Sequence, residues 1–262
     1  MSAIVLNGEI VHYEVLGRGR PLVFLHGWVG SWRYWIPNMQ AASSCCRAYA
    51  LDLWGFGDTA KNPHYYSLLQ QIELLNLFLR ELGLGKIALV GHGLGAVVAL
   101  LFATHNPGQL ERLMLVGLPS GKRPLNTRLA NASPAELAAW LPGRTALAAV
   151  ARAETPKVDR RAISHSLAGL QHVDLANLPY ILDTPSLLVH GQNDPLVDGW
   201  YQEQFVSLPE HIHQIVFEQS GHFPMLDEPS KFNRLLSDFL ALASGASPRQ
   251  LQLKEEWKRR VR

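Results

Sequence analysis

The 262-residue chain carries 24 basic and 22 acidic residues, a net charge of +2, and is 47% hydrophobic. That length and apolar content suffice for one large α/β domain or two small ones with a buried core. The near-balanced charge gives no electrostatic reason to expect a nucleic-acid partner.

The N-terminus, MSAIVLNGEIVHYEV, has no basic segment followed by an apolar run, and no stretch approaches 18 uninterrupted apolar residues. A cytoplasmic address without stable membrane insertion is the expectation. Residues alternate apolar and polar around Asn7-Gly8, which predicts a hairpin over about 3–16. PLVFLHG (21–27) reads as a buried strand, followed by a helical pattern from Ser31 to Ala42. The only cysteines, Cys45 and Cys46, would close a strained eight-membered ring if paired. They read instead as small core residues at the start of the next strand.

The alternation continues with strand 46–52, helix 67–82, strand 86–91, helix 94–106 and strand 111–117. This order predicts a mostly parallel sheet covered on both faces. Pro107 sets the end of the helix from Leu94, because its ring disfavours helical geometry at Asn106. Between about Ser120 and Pro179 no plain strand is evident and short helical patterns take over. One starts at Ser133 with Pro134 in the first turn and Glu136 three residues on, a capping-box arrangement. This stretch reads as an inserted helical lid. The α/β order resumes with PSLLVHG (185–191), helix 199–208, strand 211–217 and helix 230–243.

Residues 244–262 contain six basic and two acidic side chains, which leaves the body of the chain slightly acidic. The basic run around Trp257 offers a docking element for a protein partner or an acidic membrane; a solvated tail is the simpler expectation.

Five short motifs carry the chemistry: His26-Gly27 at a strand end, DLWGFGDT (52–59), GHGLGA (91–96), GQNDP (191–195) and GHFPMLDEP (221–229). In the pattern GxSxG, a serine occupies a tight strand-to-helix turn flanked by glycines that permit close packing. Here the middle residue is Gly93. Together and in this order the motifs resemble the α/β-hydrolase fold superfamily, specifically its lidded members related to esterases, lactonases and carbon–carbon bond hydrolases, over residues 3–243. The resemblance implies a mostly parallel, eight-stranded sheet flanked by helices, with residues 1–119 and 180–243 as core, 120–179 as lid and 244–262 as a basic tail. It makes Asp194 the acid and His222 the base, in the chain order this fold uses. The carboxylate would hold the imidazole in one tautomer while the imidazole removes a proton from the attacking group. The amides of Trp28 and Leu94 would form the oxyanion hole. His26, Gly27 and Trp140 are candidates for substrate contact, with His26 better suited to bracing its loop.

His92, next to the glycine, invites a nucleophile reading, but its backbone position should turn it away from the pocket. Other histidines, including His12, His64, His105, His165, His172, His211 and His213, show no metal-ligand spacing with nearby acids, so no metal is expected. Gly55 and Gly57 precede no Lys-Ser/Thr signature, so neither a nucleotide nor any other cofactor is expected.

Glycine adopts the strained elbow angles freely and removes covalent catalysis with the hydroxyl. Three functions are compatible with this pattern. The first is an esterase-like serine hydrolase of small acyl substrates, disabled by a Ser-to-Gly change. The second is a site in which His222 and Asp194 activate water or move a proton, as in a lyase or isomerase. The third is a non-catalytic binding or scaffolding protein, for which the N-myc downstream-regulated proteins are a precedent in this fold. Leu137, Trp140, Leu141 and Leu147 suggest an apolar roof over a small to medium organic ligand, and are equally what any packed lid needs.

Overall fold

Asn7 and Gly8 turn the chain with φ of 52° and 80°, so β1 (Ser2–Leu6) folds back antiparallel on β2 (Glu9–Gly17), with Leu6 opposite Glu9. This computed structural model describes residues 2–119, 125–196, 207–243 and 246–253. The expected helix at 199–208 falls almost wholly outside them, and the basic run around Trp257 entirely so.

β2 pairs antiparallel with β4 (Cys46–Leu51). From there β3 (Arg20–Leu25), β5 (Ile87–His92), β6 (Leu110–Val116), β7 (Ser186–Gly191) and β8 (Ile212–Phe217) continue in parallel. The eight strands lie in the order β1-β2-β4-β3-β5-β6-β7-β8. β5 and β7 are buried at every position, which accounts for sequences without alternation: both faces of a parallel strand are covered.

The chain enters α1 (Ile36–Ala42) through a 3₁₀ turn at Trp32–Trp35, rather than as one helix from Ser31. Ser31 caps that turn by accepting from the Arg33 N–H. Ser67 caps α2 (Leu68–Glu81) in the same way through Gln70. α3 (Leu94–His105) has its first ten residues buried and stops at Asn106, before Pro107.

Among the described residues, four α-helices stand between β6 and β7: α4 (Arg128–Asn131), α5 (Pro134–Trp140), α6 (Ala148–Glu154) and α7 (Arg160–Leu170). The capping box at Ser133 and Glu136 is formed. After β8, α8 (Pro224–Asp227) precedes α9 (Pro229–Ala241). Among the described residues no helix is long and apolar enough to cross a membrane.

Only one of the two cysteines occupies the core as expected. Cys46 enters the core at the start of β4, and burial pushes its thiol up to about 12. Cys45 is exposed, because it belongs to the turn before the strand; a Cβ on Gly19 would come within 2.5 Å of its carbonyl oxygen.

Candidate active site

The parallel strands deliver their C-terminal ends to one edge of the sheet, where open α/β sheets form their binding crevices. β3 ends at His26-Gly27, β4 at Asp52, β5 at His92-Gly93 and β6 at Gly117. Gly93 has φ 53° and ψ −112° and donates its N–H to the Val116 carbonyl at 2.9 Å. The turn is held tight by its flanking glycines. A Cβ on Gly91 would lie 2.2 Å from the Gly95 oxygen, and one on Gly95 2.4 Å from the Leu25 oxygen.

Opposite the elbow, the His222 Nδ1–H donates to Asp194 Oδ2 at 2.7 Å, with both side chains buried. Asp194 Oδ1 accepts from the Leu196 N–H at 2.9 Å, which fixes the carboxylate plane. The proton on Nδ1 leaves Nε2 as the basic nitrogen. A Cβ built on Gly93 would sit 3.2 Å from Nε2, 3.3 Å from Cε3 of Trp28 and 3.4 Å from the Gly27 Cα. Among the described residues no hydrogen bond engages Nε2. The loop that carries His222 is tied to α8. The Gly221 N–H donates to Asp227 Oδ2 at 2.9 Å, and Ser220 Oγ donates to Glu228 Oε1 at 2.8 Å.

A buried chain of hydrogen bonds joins the loop after β3 to the His222 loop. The Gly27 N–H donates to Tyr34 Oη at 2.7 Å, the Tyr34 hydroxyl to His92 Nδ1 at 2.9 Å, and the His92 Nε2–H to the His222 carbonyl at 2.9 Å. Every donor in it finds an acceptor only with His92 neutral, and burial holds its pKa well below the ordinary value. Both ring nitrogens are committed, so His92 stands behind the base and is not a nucleophile. Nothing in the sequence marked Tyr34 for this part; it lies among the aromatic residues of SWRYW.

His26 does not contact a ligand space, contrary to its candidacy for substrate contact. It is fully buried, its Nδ1–H donates to the Gly27 carbonyl at 2.8 Å, and Nε2 accepts from the Leu53 N–H at 3.0 Å. It braces the loop, and burial lowers its pKa. No hydrogen bond engages the backbone amide of Trp28 or of Leu94 among the described residues.

The insertion rests on the loop after β3. The Trp28 indole N–H donates to Ser166 Oγ on α7 at 3.0 Å, and Ser31 Oγ donates to Glu154 Oε2 on α6 at 2.8 Å. Glu154 pairs with Arg33 at 3.0 Å and Lys157 at 3.2 Å, and Lys157 reaches Asp58 at 2.9 Å. Leu137 and Leu141 are buried, whereas Trp140 is half-buried with the Arg128 guanidinium 4.9 Å from its ring centre. Sequence gave no signal for Ser166 or Glu154.

The fold also gathers a group that sequence spacing kept apart. Ligand atoms of His12, Asp52 and Asp58 lie within 4.8 Å of one another. Its two carboxylates are already engaged, whereas the buried His12 Nε2 has no hydrogen-bond partner among the described residues. Asp52 accepts from the Trp32 and Asp58 amides at 2.8 and 2.9 Å, and the Lys157 ammonium neutralises Asp58. Asp52 therefore organises loops.

A parallel sheet with a glycine-flanked elbow after its central strand, an acid after β7 and a histidine after β8 defines the α/β-hydrolase class. Residues 22–235 match the alpha/beta hydrolase family, and the chain belongs to it. It is similar to the 2-hydroxy-6-oxo-2,4-heptadienoate hydrolase of Pseudomonas putida, at 28% identity over 92% of this chain and 96% of that protein. The soluble epoxide hydrolase of a Corynebacterium strain is 33% identical over 117 residues, and this match spans only 41% of its length. Among solved structures, an esterase from Exiguobacterium antarcticum superposes with a TM-score of 0.80 at 19% identity, covering 91% of this chain and 98% of that one. A serine-to-glycine mutant of the N-acyl homoserine lactonase AidH, complexed with N-hexanoyl homoserine lactone, gives 0.76 at 20% identity, covering 91% and 96%.

Proposed function

We propose that this protein has the binding and acid–base apparatus of an esterase-like hydrolase for small acyl substrates, with glycine at the nucleophile position and covalent catalysis correspondingly disabled. The observation that carries this is the aim of His222. Its Nδ1 is held by Asp194 at 2.7 Å and its Nε2 lies 3.2 Å from where a residue-93 Cβ would be. A serine hydroxyl on that carbon comes within hydrogen-bond reach of Nε2 by rotation about χ1. In this assignment the Trp28 and Leu94 amides receive the oxyanion and α4–α7 form the lid. The lactonase neighbour supports the ligand-binding half of the proposal, since its serine-to-glycine form is complexed with an acyl lactone.

In serine triads, loss of the nucleophile lowers turnover by about a millionfold, leaving about 10³–10⁴ over water from binding and the oxyanion hole. The decisive comparison is this chain against Gly93→Ser on a panel of short acyl esters, with a serine-reactive phosphonate to report labelling at residue 93. The expected result is turnover and labelling in the serine form alone. A folded Gly93→Ser protein that neither labels nor hydrolyses any ester would overturn the assignment.

A further inference from the structure

We infer that Asp227 is a positioning residue for His222 that makes the base answer to the seating of the insertion, one carboxylate oxygen holding the base loop and the other lying against residue 143. The inference rests on the esterase-like reading of the site and deepens it by naming what regulates the base. Oδ2 accepts from the Gly221 N–H at 2.9 Å, one residue before His222. Oδ1 faces the insertion: a Cβ built on Gly143 would lie 2.5 Å from it. A methyl group cannot stand so close without displacing the oxygen, so glycine at 143 is what lets the insertion's backbone lie against the carboxylate. The same stretch is held at further points. Thr145 Oγ1 donates to the Leu226 carbonyl on α8 at 3.2 Å and accepts from the Ala148 N–H at the start of α6 at 3.2 Å. Arg152 on α6 donates to the Gly143 carbonyl at 2.7 Å. Residues 143–145 thus join α6 to α8, and Asp227 passes that junction on to the turn that carries the base.

Two effects make the place of this carboxylate matter to the chemistry. The first is alignment: the Nδ1–H bond from His222 to Asp194 spans 2.7 Å, and a hydrogen bond weakens steeply as its angle opens. A turn that loses its hold at Gly221 loses that angle. The second is charge. Burial raises the pKa of Asp227, the Gly221 N–H lowers it, Glu228 raises it and a charge on His222 lowers it. The carboxylate and the imidazolium therefore attract each other, and the attraction acts at lower effective dielectric while residues 143–145 shield Oδ1 from water. Lifting those residues hydrates Oδ1 and slackens the base loop together. A carboxylate that merely capped its own turn would serve Gly221 and be indifferent to Gly143.

The test follows the downfield His222 Nδ1–H proton by NMR in the full chain, which needs no turnover, and compares Gly143→Ala, Asp227→Ala, Asp227→Asn and the double variant Gly143→Ala/Asp227→Ala. Near-ultraviolet circular dichroism checks that each is folded. Gly143→Ala should shift or broaden the signal by displacing the carboxylate, and the same methyl should add nothing once Asp227 is alanine, the non-additivity of two sites acting through one contact. Asp227→Asn keeps an acceptor for Gly221 and should retain the signal. If Gly143→Ala does not fold, Thr145→Val takes its place: it cuts the tie to Leu226 without crowding, and should move the signal only while Asp227 is present. In the Gly93→Ser background, Asp227→Ala should lower kcat on short acyl esters about 10–10²-fold with little change in KM, the usual result of a misplaced reacting group, and Asp227→Asn should lose less. A His222 signal unmoved by Asp227→Ala, or effects of the two substitutions that simply add, would overturn the inference. Ester hydrolysis by Gly93→Ser with such a signal overturns the coupling and leaves the esterase-like reading intact. A coupled signal with an inactive, folded Gly93→Ser protein overturns that reading and keeps Asp227 as the link between insertion and His222.

Discussion

At Gly93 the backbone takes a φ of 53°, which glycine adopts freely and serine only under strain. Gly93→Ser should therefore lower stability by about 1–3 kcal/mol as it restores the hydroxyl. Urea unfolding read together with the ester assay checks both, and a serine form that gains activity without losing stability would mean the elbow is not strained. The GHGLG pattern made this residue legible because the elbow is a local device, set by three glycines within five positions. His222 and Asp194 were legible through their short motifs. Tyr34 was not: what assigns it is a contact with His92, 58 residues away, and no spacing rule reports such a contact.

Among elements, the loop after β3 is held from two sides, by the Tyr34–His92 chain beneath and the insertion above. Tyr34→Phe removes the hydroxyl that serves the Gly27 amide and His92 Nδ1, leaving both buried without their partner. The cost should be about 1–3 kcal/mol in urea unfolding. In the Gly93→Ser background kcat should fall more than KM rises, because the displaced amides act in the transition state. On the other side, Glu154→Gln removes one carboxylate from Arg33 and Lys157 and leaves Asp58 as their anionic partner, at 3.9 and 2.9 Å. Since those cations are about one-third exposed, the expected loss is about 1 kcal/mol, with faster proteolysis within the insertion. The capping box at Ser133 was readable from four residues, and the Ser67 helix start from local pattern. The 3₁₀ entry at Trp32–Trp35 was not, because burial of its aromatic residues decides that geometry.

For the molecule as a whole, the order of strands and helices was legible because buried parallel strands are short apolar runs punctuated by glycine and proline. Which strand ends meet was supplied by the sheet order. The same burial sets the acid limit of the fold. Desolvation lowers the pKa of His26 and His92, and takes His190 down to about 3. Each folded-state value lies below the unfolded value near 6.5, so the unfolded chain binds more protons in between. Stability from these groups is complete above pH 6.5 and is lost progressively as pH falls toward the folded-state values. Urea midpoints should drop from pH 7 to pH 5, and His190→Gln should flatten that slope if it folds; a midpoint independent of pH would show that these rings do not remain neutral. The framework around residue 93, with its acid, base and loop supports, also has a hereditary meaning. Serine and glycine codons of the AGY and GGY sets differ at a single base, so a lineage carrying such a codon, with its acid, base and loop supports in place, stands one point mutation from regaining the hydroxyl.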